Sequence, residues 1–265
     1  MDSTIAFLGA GRIAEAWIER LIGSKALPAD RILVCDPLNG RLNQLHARYP
    51  GLNTSANNLD GAHFGRIVVI ATPPAEIIRE LAVLRPALQR DAIVISLAAG
   101  VPLGRLVKTA ASATVVRIMP NTPSMVGEGM NVVCYLPGTL VSTRQEIESL
   151  LAIFGRSQEI SEQDMEAYGA LCSVAPTFLF PIVETLIVSA VEAGLPESLG
   201  RLAVVQVFVG TGGLVAASGH SVAELNNMIG LHTLREAEVK QLVDAAYRDA
   251  FGKLKGLAAK MAEAA

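Results

Sequence analysis

Runs of mostly apolar residues alternate with amphipathic stretches through the first half of the chain. The runs stand at 4–8, 31–35, 67–71, 92–96, 115–119 and 131–135. Apolar residues recur with helical spacing after the first and third runs, at 12–22 and 76–84. Because short apolar strands separated by helices are typical of a parallel sheet covered on both faces, we predict a doubly wound α/β fold.

The pattern changes near residue 160, beyond which we find no further alternation of strands and helices. Helical spacing runs through the remainder, at 176–193, 197–209, 221–228 and 235–264. We therefore predict two domains, an α/β domain at 1–155 and an all-α domain at 156–265.

The composition indicates a folded chain with large buried surfaces. Apolar residues make up 51% of the chain, and charged residues make up 18%, against roughly 25% in an average soluble domain. The net charge of −3 offers no basic face, so we expect no nucleic-acid partner. The apolar helical half predicts a homodimer or higher homo-oligomer that forms through the C-terminal helices.

The segment 202–223 tests this interpretation, because it contains no Asp, Glu, Lys or Arg and is long enough to cross a bilayer. Its polar residues and glycines favour a helix buried in a dimer, and we expect no membrane partner. The cysteines form no CxxC pair, and no residues have metal-ligand spacing. We therefore expect no bound metal. The N-terminus lacks the basic region of a signal peptide, so we expect a cytoplasmic protein.

A glycine-rich turn joins the first strand to its helix. The turn fits the pattern G-x-G-x-x-G/A and consists of Gly9, Ala10, Gly11, Arg12, Ile13 and Ala14. Gly9 permits the tight turn, Gly11 lets a pyrophosphate approach the backbone, and Ala14 lets the helix pack on the strand. The N–H groups at the start of the helix suit phosphate oxygens. The context predicts a site for a dinucleotide, NADPH or NADH.

Asp36 follows the second strand, where an acidic side chain accepts hydrogen bonds from the ribose of NAD. It slightly favours NADH, whereas the nearby Arg41 favours NADPH, so both cofactors stay open. Asp36 can also be a simple turn residue before a proline.

The most distinctive string is Arg117-Ile118-Met119-Pro120-Asn121-Thr122-Pro123. Two prolines fix a rigid loop at the carboxyl end of a predicted strand, which is where ligands bind in such sheets. Asn121 can hydrogen-bond a nicotinamide or orient a substrate, and the alternative is an Asx-type turn.

This string, with Val126 and Gly129 after it, resembles the signature of the pyrroline-5-carboxylate reductases. The likeness extends to 95–101 upstream and to 176–180, Glu184 and 193–196 downstream. Together with the glycine turn, it covers essentially the whole chain. It implies a Rossmann domain, an all-helical domain that interlocks with a partner subunit, and a cyclic imine as substrate. The implied reaction is hydride transfer from NAD(P)H to the C=N carbon of 1-pyrroline-5-carboxylate, which gives proline.

The resemblance also implies roles for particular residues. The cofactor would contact the glycine turn and Asp36, together with Ala71, Thr72, Pro73, Ala98 and Asn121. The substrate would contact Cys172, Ser173, Val174, Ala175, Pro176 and Thr233. Catalytic assistance would come from Thr233, His232 and Asn121.

Three segments depart from the family. Its S-G-S-G-P is replaced by residues 172–176, which contain no glycine, and its A-V-K-P is replaced by 71–74, which lack the lysine. Its S-P-G-G-T-T loop is absent, and 230–234 stand in its place. We therefore keep two alternatives, a divergent imine or carbonyl reductase of a specialised pathway and a non-catalytic NAD(P)-binding regulator.

Overall fold

The computed structural model describes residues 3–111 and 113–263, which form two compact units. The first unit contains the chain up to Val174 and the part from Ala250 onward. The second unit is Ala175–Asp249.

The first unit is built on one sheet, to which the described residues contribute eight strands. These are β1 Ile5–Leu8, β2 Ile32–Cys35, β3 Asn53–Ser55, β4 Ile67–Ile70, β5 Ile93–Ser96, β6 Thr114–Met119, β7 Gly129–Tyr135 and β8 Gly155–Glu159. Their order across the sheet is β3-β2-β1-β4-β5-β6-β7-β8. The pair β6–β7 is antiparallel, and every other neighbouring pair is parallel. The predicted doubly wound α/β fold is confirmed.

Strand β7 runs against β6 because the connection between them is short. Residues 120–128 join the two strands and include a 3₁₀ turn at Thr122–Val126. A parallel pairing needs a crossover of about a dozen residues or more, so this loop permits only the antiparallel direction. The loop therefore stays at the edge of the sheet where β6 ends.

Helices cover both faces of the sheet. They are α1 Arg12–Gly23, α2 Asn39–Arg48, α3 Asn58–Phe64, α4 Ile77–Leu84, α5 Leu103–Ala110, α6 Val141–Phe154 and α7 Met165–Tyr168, and α7 continues as a π-helix at Gly169–Val174. Alternate residues of the buried strands enter opposite cores, as Val69 and Val68 do in β4. In the first core the rings of Trp17 and Phe154 stack with centroids 4.2 Å apart.

Several of these elements are absent from the sequence-based prediction. They are β3, β8, α2, α3 and α5. Strand β8 pairs with β7 along Gly155–Glu159. The sheet therefore continues beyond residue 155, where the sequence analysis places the domain boundary.

The second unit is helical. It contains α8 Pro176–Glu192, α9 Glu197–Ala217, α10 Val222–Asn227 and the first half of α11, which runs from Glu236 to Glu263 and ends in the first unit. In α8 the buried residue is Ile187, and in α9 it is Gly200. Two described segments, Glu162–Glu192 and Glu197–Ala217, are long and apolar enough to cross a membrane by length and composition, and 6% of the apolar 18-residue window in each is buried.

Candidate active site

The predicted cofactor residues of the first unit lie at one edge of the sheet. Strands β1, β2, β4 and β5 end there in register, because Leu8 pairs with Cys35 and Ile70, and Ile70 pairs with Ser96. Each strand is followed by one predicted segment. The carboxyl edge of a doubly wound sheet is where such folds bind ligands.

The glycine turn has the shape that a pyrophosphate requires. Gly9 has a φ of +99°, and a Cβ on it would lie 3.0 Å from the backbone oxygen of Ala71. Gly11 caps α1 without a side chain, and a Cβ there would meet nothing within 4 Å. Ala14, in the first turn of α1, is fully buried. The turn therefore leaves open space over the first N–H groups of α1, so the residues present fit a dinucleotide phosphate.

Asp36 holds this turn to β2. Its Oδ2 accepts a hydrogen bond from the backbone N–H of Ala10 at 2.8 Å, and its Oδ1 accepts one from Leu38 at 2.8 Å. The residue is 5% exposed. Its carboxylate is therefore engaged by the protein backbone on both oxygens.

The end of β4 contains a polar cluster that the sequence analysis missed. Thr72 Oγ1 donates a hydrogen bond to Glu80 Oε2 at 2.6 Å, and the side-chain amide of Asn58 donates to Glu80 Oε1. Burial raises the pKa of Glu80, although both hydrogen bonds oppose the shift. The hydroxyl of Thr72, predicted to line the cofactor cleft, is thus directed at Glu80. Pro73 beside it is exposed.

The loop after β5 contains Ala98 and is covered by the end of α11. Ala98 is buried, and its N–H donates to Ser96 Oγ at 3.4 Å. Gly100 has a φ of +76°, and a Cβ on it would lie 2.9 Å from Leu257 Cγ. The C-terminal helix therefore fixes the position of this loop within the first unit.

Asn121 is held by hydrogen bonds within the loop after β6. Its Oδ1 accepts from the backbone N–H of Met130 at 3.1 Å, and its Nδ2 donates to the backbone oxygen of Cys172 at 3.2 Å. The residue is 8% exposed. Both ends of its amide bind the protein, so Asn121 connects β7 and the π-helix to the loop.

The π-helix carries the first predicted substrate residues, Cys172, Ser173 and Val174. Ser173 Oγ donates to the backbone oxygen of Pro120 at 2.7 Å. Burial raises the pKa of the Cys172 thiol, so it is a poor nucleophile at neutral pH. π-helices are frequent at functional sites. This one is joined to the loop after β6 by two hydrogen bonds, from Asn121 and Ser173.

Arg117, in β6, forms ion pairs with residues that precede the π-helix. The residue is 2% exposed, and its Nη2 lies 2.8 Å from Glu166 Oε1, while its Nη1 lies 3.4 Å from Glu162 Oε1. Glu162 also accepts from the backbone N–H of Leu103. The arginine therefore ties β6 to the start of α5 and to α7. No spacing in the sequence pairs these residues.

The remaining predicted residues belong to the second unit. Ala175 and Pro176 form the first turn of α8. His232 and Thr233 are exposed in the segment between α10 and α11. Asn226 Nδ2 donates to Glu236 Oε1 at 2.8 Å and closes the base of that segment. Among the described residues, no group of three or more His, Cys, Asp or Glu side chains can hold a metal.

Comparison with known proteins decides the family. A pyrroline-5-carboxylate reductase from Corynebacterium melassecola is 30% identical over 256 residues, which cover 94% of this chain and 93% of the relative. The chain belongs to the pyrroline-5-carboxylate reductase family. The family model "Pyrroline-5-carboxylate reductase dimerisation" matches residues 162–257, and "NADP oxidoreductase coenzyme F420-dependent" matches residues 4–100.

Solved structures of pyrroline-5-carboxylate reductases match the fold of this chain over nearly its whole length. The Plasmodium falciparum enzyme with NADP bound superposes with a TM-score of 0.84 at 23% identity, covering 97% of this chain and 98% of that one. The Coxiella burnetii reductase gives a TM-score of 0.79 at 26% identity, covering 97% and 99%. The sequence resemblance to this family is thus confirmed.

Proposed function

We propose that this protein reduces 1-pyrroline-5-carboxylate to proline with NADPH or NADH. When bound, the nicotinamide supplies the hydride that reduces the C=N bond. The proposal rests on family membership and on the row of strand ends that aligns the glycine turn with the loops after β4, β5 and β6. Reductases with this name occur among its relatives at 30% identity and below, over most of the chain.

The glycine turn holds the pyrophosphate through the first N–H groups of α1. Ala71, Thr72 and Pro73 line the next part of the site, and the buried Ala98 lies farther along the same edge. Asn121 acts indirectly, by fixing the loop after β6. Such positioning is the main requirement, because hydride transfer to an imine depends on proximity and alignment more than on a strong acid or base.

Substrate binding is assigned to residues 172–176 and to Thr233. The substrate carboxylate is assigned to the first turn of α8, which starts at Pro176. Thr233 supplies a hydroxyl, and His232 beside it is a candidate proton donor. The absence of the family's glycine–threonine loop supports a second candidate, reduction of a different cyclic imine.

We place a second copy of the chain, and not lipid, against the exposed apolar helices α8 and α9. Both lie within the matched dimerisation model, which spans residues 162–257. Apolar patches of this extent usually mark a protein or membrane interface. The same proposal places the protein in the cytoplasm. In sedimentation we expect a dimer or larger assembly that stays dispersed without detergent. A monomer contradicts it.

The activity is tested with two glycine variants. Gly9→Ala puts a Cβ against Ala71 and strains a φ of +99°, whereas Gly138→Ala strains a φ of +85° in open space. We expect the wild type and Gly138→Ala to oxidise NAD(P)H with pyrroline-5-carboxylate, and Gly9→Ala to lose cofactor binding and turnover together.

A wild type that binds cofactor but oxidises it only with another cyclic imine would establish the second candidate. Cofactor binding without turnover on any imine or ketone would indicate a regulator, and would refute the reductase proposal.

A further inference from the structure

Thr72, at the end of β4, donates the hydrogen of its hydroxyl to the carboxylate of Glu80. Glu80 Oε2 accepts this bond at 2.6 Å. We propose that Glu80 is a positioning residue, which makes Thr72 Oγ1 a hydrogen-bond acceptor for the ribose on the nicotinamide side of the cofactor. The inference rests on the proposed dinucleotide site and assigns a role in it to a carboxylate on α4.

Glu80 sets the direction of this hydrogen bond. An ionised carboxylate only accepts hydrogen bonds, whereas a hydroxyl has one hydrogen to donate and two lone pairs that accept. The side-chain amide of Asn58 donates to the other carboxylate oxygen, Oε1. The single hydrogen of Thr72 is therefore directed at Glu80, and Thr72 Oγ1 keeps a lone pair for a donor on another group.

The side chain of Thr72 lies against the glycine turn. A Cβ on Gly9 would lie 3.4 Å from Thr72 Cγ2. A β-branched side chain has few χ1 rotamers, so this contact and the bond to Glu80 together fix the position of Oγ1. Thr72 is half-buried, and part of its surface stays accessible to a ligand.

The order of the strands places Thr72 on the nicotinamide side of the pyrophosphate. Strand β1, which leads into the glycine turn, lies between β2 and β4, and β5 follows β4. A dinucleotide in such a fold lies across this edge, with its pyrophosphate at the turn after β1 and its adenosine toward β2. The other half therefore extends past β4. Its first group beyond the pyrophosphate is a ribose, whose hydroxyls can donate to Thr72 Oγ1.

The test measures the Kd of NADPH, ADP-ribose and ADP by calorimetry at about pH 8, where a carboxylate is ionised. ADP-ribose contains the second ribose without the nicotinamide, and ADP contains neither. Thr72→Val keeps the shape of the side chain and should raise the Kd of NADPH and ADP-ribose about 3- to 10-fold, the loss of one hydrogen bond. The Kd of ADP should not change. Thr72→Ser keeps the hydroxyl and should restore binding to within about twofold of the wild type.

Glu80→Met removes both carboxylate oxygens and keeps a side chain of similar length. It should raise the Kd of ADP-ribose relative to that of ADP about 3-fold, and should have no further effect in a Thr72→Val protein, because Glu80 acts through Thr72. Glu76→Met is the matched control, since it removes an exposed carboxylate at the start of the same helix. It should leave the ratio of the two Kd values unchanged.

Urea unfolding establishes that each variant is folded. The inference would be overturned if Thr72→Val bound ADP-ribose as tightly as the wild type, or if Glu80→Met left the ratio of ADP-ribose to ADP Kd unchanged. Additive losses in the double variant would also overturn it, because Glu80 would then act apart from Thr72. Each of these results leaves the reductase proposal intact. Failure of the wild type to bind either NADPH or NADH would overturn both.

Discussion

The hydroxyl of Ser173 donates a hydrogen bond to the backbone oxygen of Pro120 across 2.7 Å. This bond joins the π-helix that precedes α8 to the rigid loop after β6. Ser173 stands in the segment 172–176, where the family resemblance implies S-G-S-G-P, and a glycine there has no hydroxyl to donate. The changed segment thus adds a fixed connection between a predicted substrate element and the cofactor edge.

Ser173→Ala removes the hydroxyl and with it this hydrogen bond. We expect a loss of about 1 kcal/mol in the free energy of unfolding and a higher KM for the imine. Ser149→Ala is the control, because its hydroxyl bonds only within its own helix, to Gln145. Urea unfolding and steady-state kinetics measure both effects. An unchanged KM would mean that the bond does not order the substrate element.

Arg117→Met should be the most destabilising of the variants considered. It leaves the carboxylates of Glu162 and Glu166 without their buried partner, and breaking such a pair costs about 3–5 kcal/mol. Arg235→Met is the control, since its ion pair with Glu238 is on the surface and should change stability by less than about 1 kcal/mol. The double variant Arg117→Met/Glu166→Leu should recover part of the loss. If the single variant unfolds at the same urea concentration as the wild type, the network is not structural.

Glu80 makes stability depend on pH. Because burial raises its pKa in the folded protein, its contribution to stability is fully present below the unfolded pKa of about 4.5 and is lost as the pH rises through the folded pKa. The wild type should therefore lose stability relative to Glu80→Gln over that rise. Thr72→Val removes a hydrogen bond that lowers the pKa, so it should move the transition to higher pH. Urea unfolding from acid to neutral pH measures this, and a difference that does not vary with pH would contradict the assignment.

Gly100→Ala tests the contact between α11 and the loop that contains Ala98. The new Cβ would meet Leu257 Cγ at 2.9 Å and the backbone nitrogen of Ala258 at 3.0 Å, and the φ of +76° adds strain. We expect a destabilisation of about 1–3 kcal/mol together with a raised Kd for NADPH. Gly138→Ala shares the backbone strain without the clash. Equal effects of the two variants would show that strain alone is responsible.

The buried strands of the sheet follow from the sequence, and the polar strands at its edges do not. Strands such as β1 and β4 are fully buried, and their apolar runs predict them to within a residue or two. Strands β3 and β8 lie at the two edges of the sheet and are mostly polar, so they carry no apolar pattern. Helix α2 is similarly polar, with only Leu42 and Leu45 buried.

In the candidate site, the local motif can be predicted from the sequence, whereas the contacts between distant segments cannot. The glycine turn can be predicted because its function requires small residues at fixed spacing within a few positions. The bonds of Asp36, Glu80 and Arg117 join segments far apart in the chain, and only the packed fold brings them together. Sequence alone therefore suggests a ribose-binding role for Asp36, whereas the structure shows both of its oxygens bound to backbone N–H groups.

The proposed reaction is hydride transfer from the nicotinamide to the carbon of the C=N bond. The direct measurement is a single turnover with NADPH deuterated at the transferred position and 1-pyrroline-5-carboxylate, followed by mass spectrometry. We expect proline with one deuterium on the former imine carbon. Apart from an isotope effect, this proline should form at the rate at which the wild type oxidises NADPH. Cofactor that binds but yields no labelled proline would contradict it.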